Sequence, residues 1–272
     1  MNTSQRAPWR LPLFIRISVA IHLLALLMLV VDPALWRWAL AMLIANHALI
    51  SLIGLWPRSN WLGANLTKLP PAAAVKNEVA LTIDDGPDPL VTPQVLDLLD
   101  NYGIKATFFC IGDKAAQYPA LCRDIVRRGH TVENHSQHHR HHFSLLGLAG
   151  FRREIEAAQQ TITGITGVAP LFFRAPAGLR NPFLAPVLAA MGLHLASWSI
   201  RGFDTRSGDA AKVKNRILGE LHAGAILLMH DGNAALTKNG SAVILEVLPD
   251  LLQTAAARGL HFVTLRAVEV TF

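Results

Sequence analysis

Several small groups of ionisable side chains in this 272-residue chain have the types and spacing that hydrolytic chemistry uses. Asp84 and Asp85 stand side by side before Gly86-Pro87. His135 and His139 are four residues apart, Arg174 follows an apolar run, Arg201 and Asp204 lie three apart, and His230 precedes Asp231. Two histidines at this spacing on a helical turn present both imidazoles to one side, the arrangement that holds a transition metal. A carboxylate from another strand would complete a His/His/Asp set. Adjacent carboxylates diverge, so one of the two aspartates can bind metal while the other reaches the attacking water. Three protein ligands leave positions open for water and substrate, as in catalytic rather than structural sites. Each group alone has a plainer reading: Asp-Asp before Gly-Pro is turn chemistry, and His138, His141 and His142 make their stretch merely histidine-rich. Their convergence on successive strand ends is what outweighs the plainer reading.

The elements that deliver these groups are legible as an alternation. From about Val79, the short runs VALTI, ATFFCI, HTVEN, LFF, HLASWSI, AILLM and HFVTL are separated by helical patterns such as TPQVLDLLDNY and SAVILEVLPDLLQTAAAR. Seven strands alternating with helices over about 200 residues predict an α/β fold, a parallel sheet closed or nearly closed into a β/α barrel. An open doubly wound sheet is the alternative. In barrels of this kind the working residues sit at the C-terminal ends of strands, which is where all the groups above fall. The first loop carries neither GxGxxG nor GxxxxGK[ST], so dinucleotide and P-loop chemistry are not indicated. Cys110 and Cys122 have no metal-ligand spacing and read as two buried thiols.

The front of the chain is different. The hydrophobic content of 51% and mean hydropathy of +0.32 are high for a soluble protein, and the excess lies in the runs Ile17–Val31 and Trp38–Trp56. Each approaches the roughly 20 residues that cross a bilayer, and the short connector with Pro33 makes them a helical hairpin. The net charge of +6 points to lipid rather than nucleic acid, because residues 1–78 hold seven Lys/Arg against Asp32 and Glu78. Arg6, Arg10 and Arg16 precede the first run and Arg58, Lys68 and Lys76 follow the second, which by the positive-inside tendency places both flanks in the cytoplasm. Trp9, Trp36, Trp38, Trp56 and Trp61 sit at the run ends as interfacial anchors. A cleaved signal peptide is the competing reading: Ala39-Leu40-Ala41 resembles a cleavage site, but an apolar stretch follows it directly. If only the first run crosses, the catalytic part lies outside, in the periplasm. His22, Asn46 and His47 read as helix–helix hydrogen-bonding groups. The expected organisation is a membrane anchor over 1–56, a proline-rich linker over 57–78 and a catalytic domain over 79–272, in a multi-pass protein of the plasma membrane.

Between about residues 79 and 266 the sequence resembles the polysaccharide deacetylase family, the carbohydrate esterases with a NodB homology domain. LTIDDGPDP and ATFFCIG match its opening, ENHSQHH its HSxxH motif, FFRAPAG its RxPxG motif and ILLMHDG its LxH motif. The resemblance implies a distorted (β/α)7 barrel and an N-deacetylase acting on an N-acetylated amino sugar of the bacterial-type envelope. It implies Asp85, His135 and His139 as ligands of a divalent metal, zinc by default with cobalt, manganese or iron as alternatives. It makes Asp84 the general base, His230 the general acid and Arg174 the partner of Asp84. The backbone N–H of Ala177 would help hold the oxyanion, and Leu228 would line the acyl pocket.

The chain departs from the family where DxxDW becomes Arg201-Gly202-Phe203-Asp204-Thr205 and where the tyrosine of RxPYG becomes Ala177. Arg201 either pairs with Asp204 or contacts an anionic substrate group, such as the phosphate of a sugar on a polyprenyl carrier. The rival functions are deformylation of a lipid-linked formamido sugar, which differs only in the pocket near Leu228, and non-catalytic glycan binding at the membrane.

Overall fold

The computed structural model describes residues 10–268; Arg6 and Trp9 of the N-terminal flank, and the last four residues of the expected catalytic domain, lie outside them. The two apolar runs form a hairpin. Helix α1 (Leu13–Val31) stops where Asp32 leaves helical geometry before Pro33, and Asp32 Oδ1 accepts the N–H of Ala34 at 2.9 Å before α2 (Trp36–Gly54) returns. Asn46 donates to Ser18 Oγ at 2.8 Å, and the Nε2 atoms of His22 and His47 meet at 3.2 Å, so the polar groups of the runs bond across the hairpin. Leu23, Leu26, Leu27, Val30, Val31 and Trp38 remain exposed. Both helices are long and apolar enough to cross a membrane.

After a short α3 (Pro71–Val75) comes the alternation: β1 (Glu78–Asp84), α4 (Val91–Asn101), β2 (Thr107–Cys110), α5 (Gly112–Gln117), α6 (Pro119–Arg127), β3 (Thr131–Asn134), α7 (Leu148–Thr166) and β4 (Phe172–Phe173). It continues with α8 (Leu184–Met191), β5 (His194–Leu195), β6 (Ile200–Arg201), α9 (Ala210–Glu220), β7 (Ile226–His230), α10 (Val243–Ala257) and β8 (His261–Phe262). The strands pair in parallel in the order β5-β4-β3-β2-β1-β7-β6, with β8 also on β1. The sheet curls, with the helices on its outside.

Strand alternation explains how the barrel carries chemistry on one side and grease on the other. Along β1, Val79, Leu81 and Ile83 join the core against α4, α9 and α10, while Ala80 faces the interior cluster with Phe109, Trp198 and Leu228. The inward series Ala80, Thr82, Asp84 therefore ends on a carboxylate. On β7, Leu227 and Met229 face outward, Ile226 and Leu228 face inward, and the inward series ends on His230. Asp84 and His230 are direct partners in the β1–β7 register.

One expected strand is not continuous. The run 194–200 divides into β5 and β6, whose partners β4 and β7 belong to different parts of the sheet path. The cause is Arg174: its guanidinium takes the carbonyls of Ala196 at 3.2 Å and Ser197 at 2.8 Å, turning them away from any strand neighbour. Beside this break the proline-rich segment supplies an extra rung. Leu66 bridges to Ala196 in parallel, its N–H donating to Leu195 O at 2.9 Å and its carbonyl accepting from Ser197 N at 2.8 Å. Leu62, Leu66 and Leu69 are buried, so the segment expected as a linker is packed along its length.

The hairpin is joined to the barrel through the end of α2. Arg180 N–H donates to Gly54 O at 3.2 Å, the Arg180 side chain donates to Ser59 O, and Ser197 Oγ donates to Pro57 O at 2.8 Å. A methyl at Gly54 would lie 2.3 Å from Arg180 O. Gly54→Ala is expected to force this junction apart at a cost of about 1–3 kcal/mol, within the usual range for overpacking. Limited proteolysis should then cut within residues 57–70 faster than in the parent chain; equal cleavage rates and equal thermal midpoints would contradict the close-packed junction.

Candidate active site

The groups delivered by the strand ends form one continuous polar cluster. At its centre Arg174, 0% exposed, donates to Asp84 Oδ1 at 2.6 Å and to Thr82 Oγ1 at 2.8 Å, with its guanidinium 4.1 Å from the Phe109 ring centroid. Its backbone carbonyl is 2.8 Å from His135 Nδ1. That contact fixes the ring so that Nε2 points toward the carboxylates, as an outer partner of a metal-binding histidine does.

Asp85, His135 and His139 each offer a ligand atom, and the three atoms lie within 4.8 Å of one another. His135 Nε2 is 3.1 Å and His139 Nε2 3.2 Å from Asp85 Oδ1, a buried oxygen with no hydrogen-bond partner among the described residues. Two imidazole nitrogens and an unsatisfied carboxylate oxygen facing one point is the donor set of a divalent transition metal, and the residues fit such an ion. Burial pushes the His139 pKa down, with the charge on His135 adding to it, to about 4, leaving a neutral imidazole free to bind. Burial opposes ionisation of Asp85, but His135, His230 and His139 together hold its pKa well below the usual carboxylate range.

The expected helical turn through His135 and His139 is absent. Residues 135–142 are irregular, and the side chains converge because Ser136 (φ 63°) and His139 (φ 49°) adopt left-handed conformations. His139 N–H donates to Ser136 Oγ at 3.1 Å. His138 turns away to Glu154, 2.8 Å distant.

Facing this group across the mouth is His230, whose Nδ1 is 2.9 Å from Asp204 Oδ1 and whose N–H donates to Asp204 Oδ2 at 2.7 Å. Asp204 is thus engaged by His230 at both oxygens, and Arg201 has no carboxylate within 4 Å among the described residues. Burial alone would lower the His230 pKa; the charge and hydrogen bond of Asp204, helped by Asp84 and Asp85, raise it above the ordinary histidine value. Ala177 is exposed at the rim with φ 54°, and its N–H has no hydrogen-bond partner among the described residues. Leu228 lies on the interior face of β7, two residues before His230.

Two residues missed from the sequence support Asp85, which is itself left-handed at φ 72°. Lys114 Nζ donates to its carbonyl at 2.8 Å, and Asn233 Nδ2 donates to Oδ2 at 3.1 Å. Only Asn233 carried a signal: asparagine is among the few residues that tolerate positive φ, and it has φ 58°.

A family model for polysaccharide deacetylases matches residues 72–196. A peptidoglycan-N-acetylglucosamine deacetylase of Bacillus cereus is 30% identical over 190 residues, 70% of this chain and 67% of that protein. A chitooligosaccharide deacetylase of Bradyrhizobium is 36% identical over 155 residues, 57% of this chain and 70% of that protein. The chain belongs to the polysaccharide deacetylase family. Among solved structures, the family 4 carbohydrate esterase of Streptomyces lividans, in complex with acetate, aligns with a TM-score of 0.62 and 36% identity over 68% of this chain and 91% of that one. The curled parallel sheet with outer helices is the family's NodB-like barrel, and the chain is an enzyme of its class, a carbohydrate N-deacetylase that hydrolyses an amide C–N bond.

Two outcomes follow from the geometry. Asn233→Ala should lower affinity for zinc by about 10–100-fold, the usual effect of losing an outer partner of a metal ligand. Competition with a chromogenic chelator measures this without recourse to activity, and an unchanged affinity would remove Asn233 from the site. A general acid must be protonated; if His230, raised by Asp204, serves as one, activity should fall as pH rises through the His230 pKa. Asp204→Asn should move that alkaline limb of the kcat/KM profile to lower pH; a limb that stays in place would show that another group sets it.

Proposed function

We propose that this chain is a membrane-tethered, metal-dependent N-deacetylase whose substrate is an N-acetylated amino sugar carried on a polyprenyl phosphate. The observation that carries the chemistry is the pairing of Arg174 with Asp84 beside the Asp85, His135, His139 group, with the His230–Asp204 pair opposite. A divalent ion bound by those three ligands, zinc by default, would polarise the amide carbonyl and acidify a water. Asp84, held by Arg174, takes the proton of the water that attacks the carbonyl carbon. The Ala177 N–H stabilises the charge that develops on the carbonyl oxygen. His230, protonated and oriented through Nδ1 by Asp204, gives its proton to the departing amine. Leu228 bounds the acyl pocket, and acetyl rather than formyl is favoured because the similar Streptomyces lividans esterase is solved with acetate.

The tethered substrate is supported by the position of the rim. The loop that carries Ala177 continues into Arg180, which is hydrogen-bonded to the last residue of α2. Gly178 leaves no room for a side chain, since a methyl there would lie 2.6 Å from Pro57. In this reading residues 1–56 anchor the chain in the plasma membrane as a two-pass hairpin, 57–78 link it to the catalytic domain 79–272, and that domain faces the cytoplasm. The oxyanion loop then lies against the point where the chain leaves the bilayer. Arg201 is the candidate contact for the substrate phosphate.

Asp84→Asn should abolish deacetylation while leaving zinc bound at unchanged stoichiometry. Mass spectrometry of carrier-linked sugars from cells bearing either form then tests substrate and reaction together. An N-acetylhexosamine on polyprenyl phosphate should accumulate only with the variant. Ready turnover of soluble chitooligosaccharides with no effect on carrier-linked sugars would refute the lipid-linked substrate.

A further inference from the structure

The segment that departs from the family pattern is built around a strained aromatic residue. Phe203 has φ 62°, a conformation that a bulky side chain rarely occupies, and the residue is 36% exposed, one position before the Asp204 that bonds to His230. Guanidinium groups stack on it: Arg201 lies 5.0 Å and Arg216 4.8 Å from the ring centroid, and Arg201 is also 5.3 Å from the centroid of Trp198. Aromatic stacking holds a guanidinium through its face and leaves its N–H edge free to bind. Arg206 adds a third positive charge near Arg201.

None of the three has a carboxylate within 4 Å among the described residues, and Arg201 Nε is buried without a hydrogen-bond partner. Asp204, the carboxylate whose charge acts most on Arg201, is already engaged by His230. Burial disfavours the charge on Arg201 most, and Arg206 adds to this, while Asp204, Asp84 and Asp85 oppose it without offsetting the net downward shift. An anion between the stacked guanidiniums would satisfy the free N–H groups and balance the excess charge. The place is fixed relative to the chemistry, because Arg201 is the direct partner of Leu228 in the β6–β7 register, two residues before His230.

We propose that Arg201, Arg206 and Arg216, arranged around Phe203, form a phosphate-binding subsite that holds the phosphate of the sugar substrate outside the acyl pocket. The proposal rests on the amino-sugar deacetylase reading and extends it from a single arginine to a built anion site. Three cations suit a phosphate better than a carboxylate, which a single arginine fork already satisfies. Phe203 acts as a spacer whose left-handed backbone keeps its ring, and so both guanidiniums, at the mouth.

The test uses the full chain, zinc-loaded and in nanodiscs, with N-acetylglucosamine 1-phosphate and its neutral methyl glycoside as substrates. The ratio of their kcat/KM values should favour the phosphate by about tenfold or more, the discrimination expected of about 1.4 kcal/mol. It should fall toward one in Arg216→Gln, an exposed helix position whose replacement leaves the core intact, and in Arg201→Gln. Arg216→Lys should retain part of the preference, since charge survives but the planar fork does not. Calorimetric titration with inorganic phosphate gives an independent readout, with binding weakened by about tenfold in Arg216→Gln. A ratio identical in parent and variants, phosphate binding that ignores Arg216, or equal preference for N-acetylmuramic acid would each overturn the subsite. Turnover of both sugars with no phosphate preference would leave deacetylation standing. Failure to turn over either, with phosphate binding intact, would count against the deacetylase reading and not against the anion site.

Discussion

A single buried ion pair organises this molecule. Arg174 and Asp84 meet in the barrel interior, the guanidinium fully enclosed and engaged by Thr82, Ala196, Ser197 and the face of Phe109 as well. Bringing two charges out of water is costly, and such a pair persists only when every donor and acceptor is satisfied. Removing either partner would strand a charge in the interior at a cost of about 3–5 kcal/mol. The pair therefore constrains far more than its own two residues. It fixes the Asp84 carboxylate, positions His135 through the Arg174 carbonyl, and takes the backbone carbonyls that would otherwise have continued a strand.

That last effect shows where sequence reading reaches its limit. β1, β2, β3 and β7 were legible because they are at least four residues long and each carries adjacent apolar or β-branched residues, and the inward positions of β1 and β7 end on Asp84 and His230 by simple alternation. β4, β5 and β6 are two residues each, and the break between the last two is imposed by a guanidinium distant in sequence. No local pattern encodes it. The catalytic constellation was legible as motifs in order, but the geometry that brings His135 and His139 together was not. Left-handed conformations at Asp85, Ser136, His139, Ala177 and Phe203 carry no glycine to announce them. They are held by the surrounding contacts, such as Lys114 and Asn233 at Asp85, which are themselves tertiary facts.

The N-terminal hairpin presents the opposite case. Its two helices follow from apolar length alone, and its internal polar contacts, Ser18 with Asn46 and His22 with His47, pair the polar groups of two otherwise apolar helices with each other. What composition did not convey is how tightly the hairpin meets the barrel. Prolines and alanines over 57–78 read as a spacer, yet the leucines among them are buried and the backbone bonds to the sheet. The pairing of Leu66 with Ala196 lies outside any periodic pattern, because a single bridge needs only one residue in the right place.

That bridge has an architectural consequence. Leu66 adds one parallel bridge to the barrel wall, beside the break between β5 and β6, so the segment leading from the hairpin is also part of the wall around the polar interior. A fragment beginning at Val79 would leave Leu195 O and Ser197 N–H without their partners and open the interior beside Arg174. Hairpin and barrel are consequently not interchangeable modules. Replacing the hairpin with another leader during evolution would preserve the fold only if the residues around Leu66 travelled with the barrel.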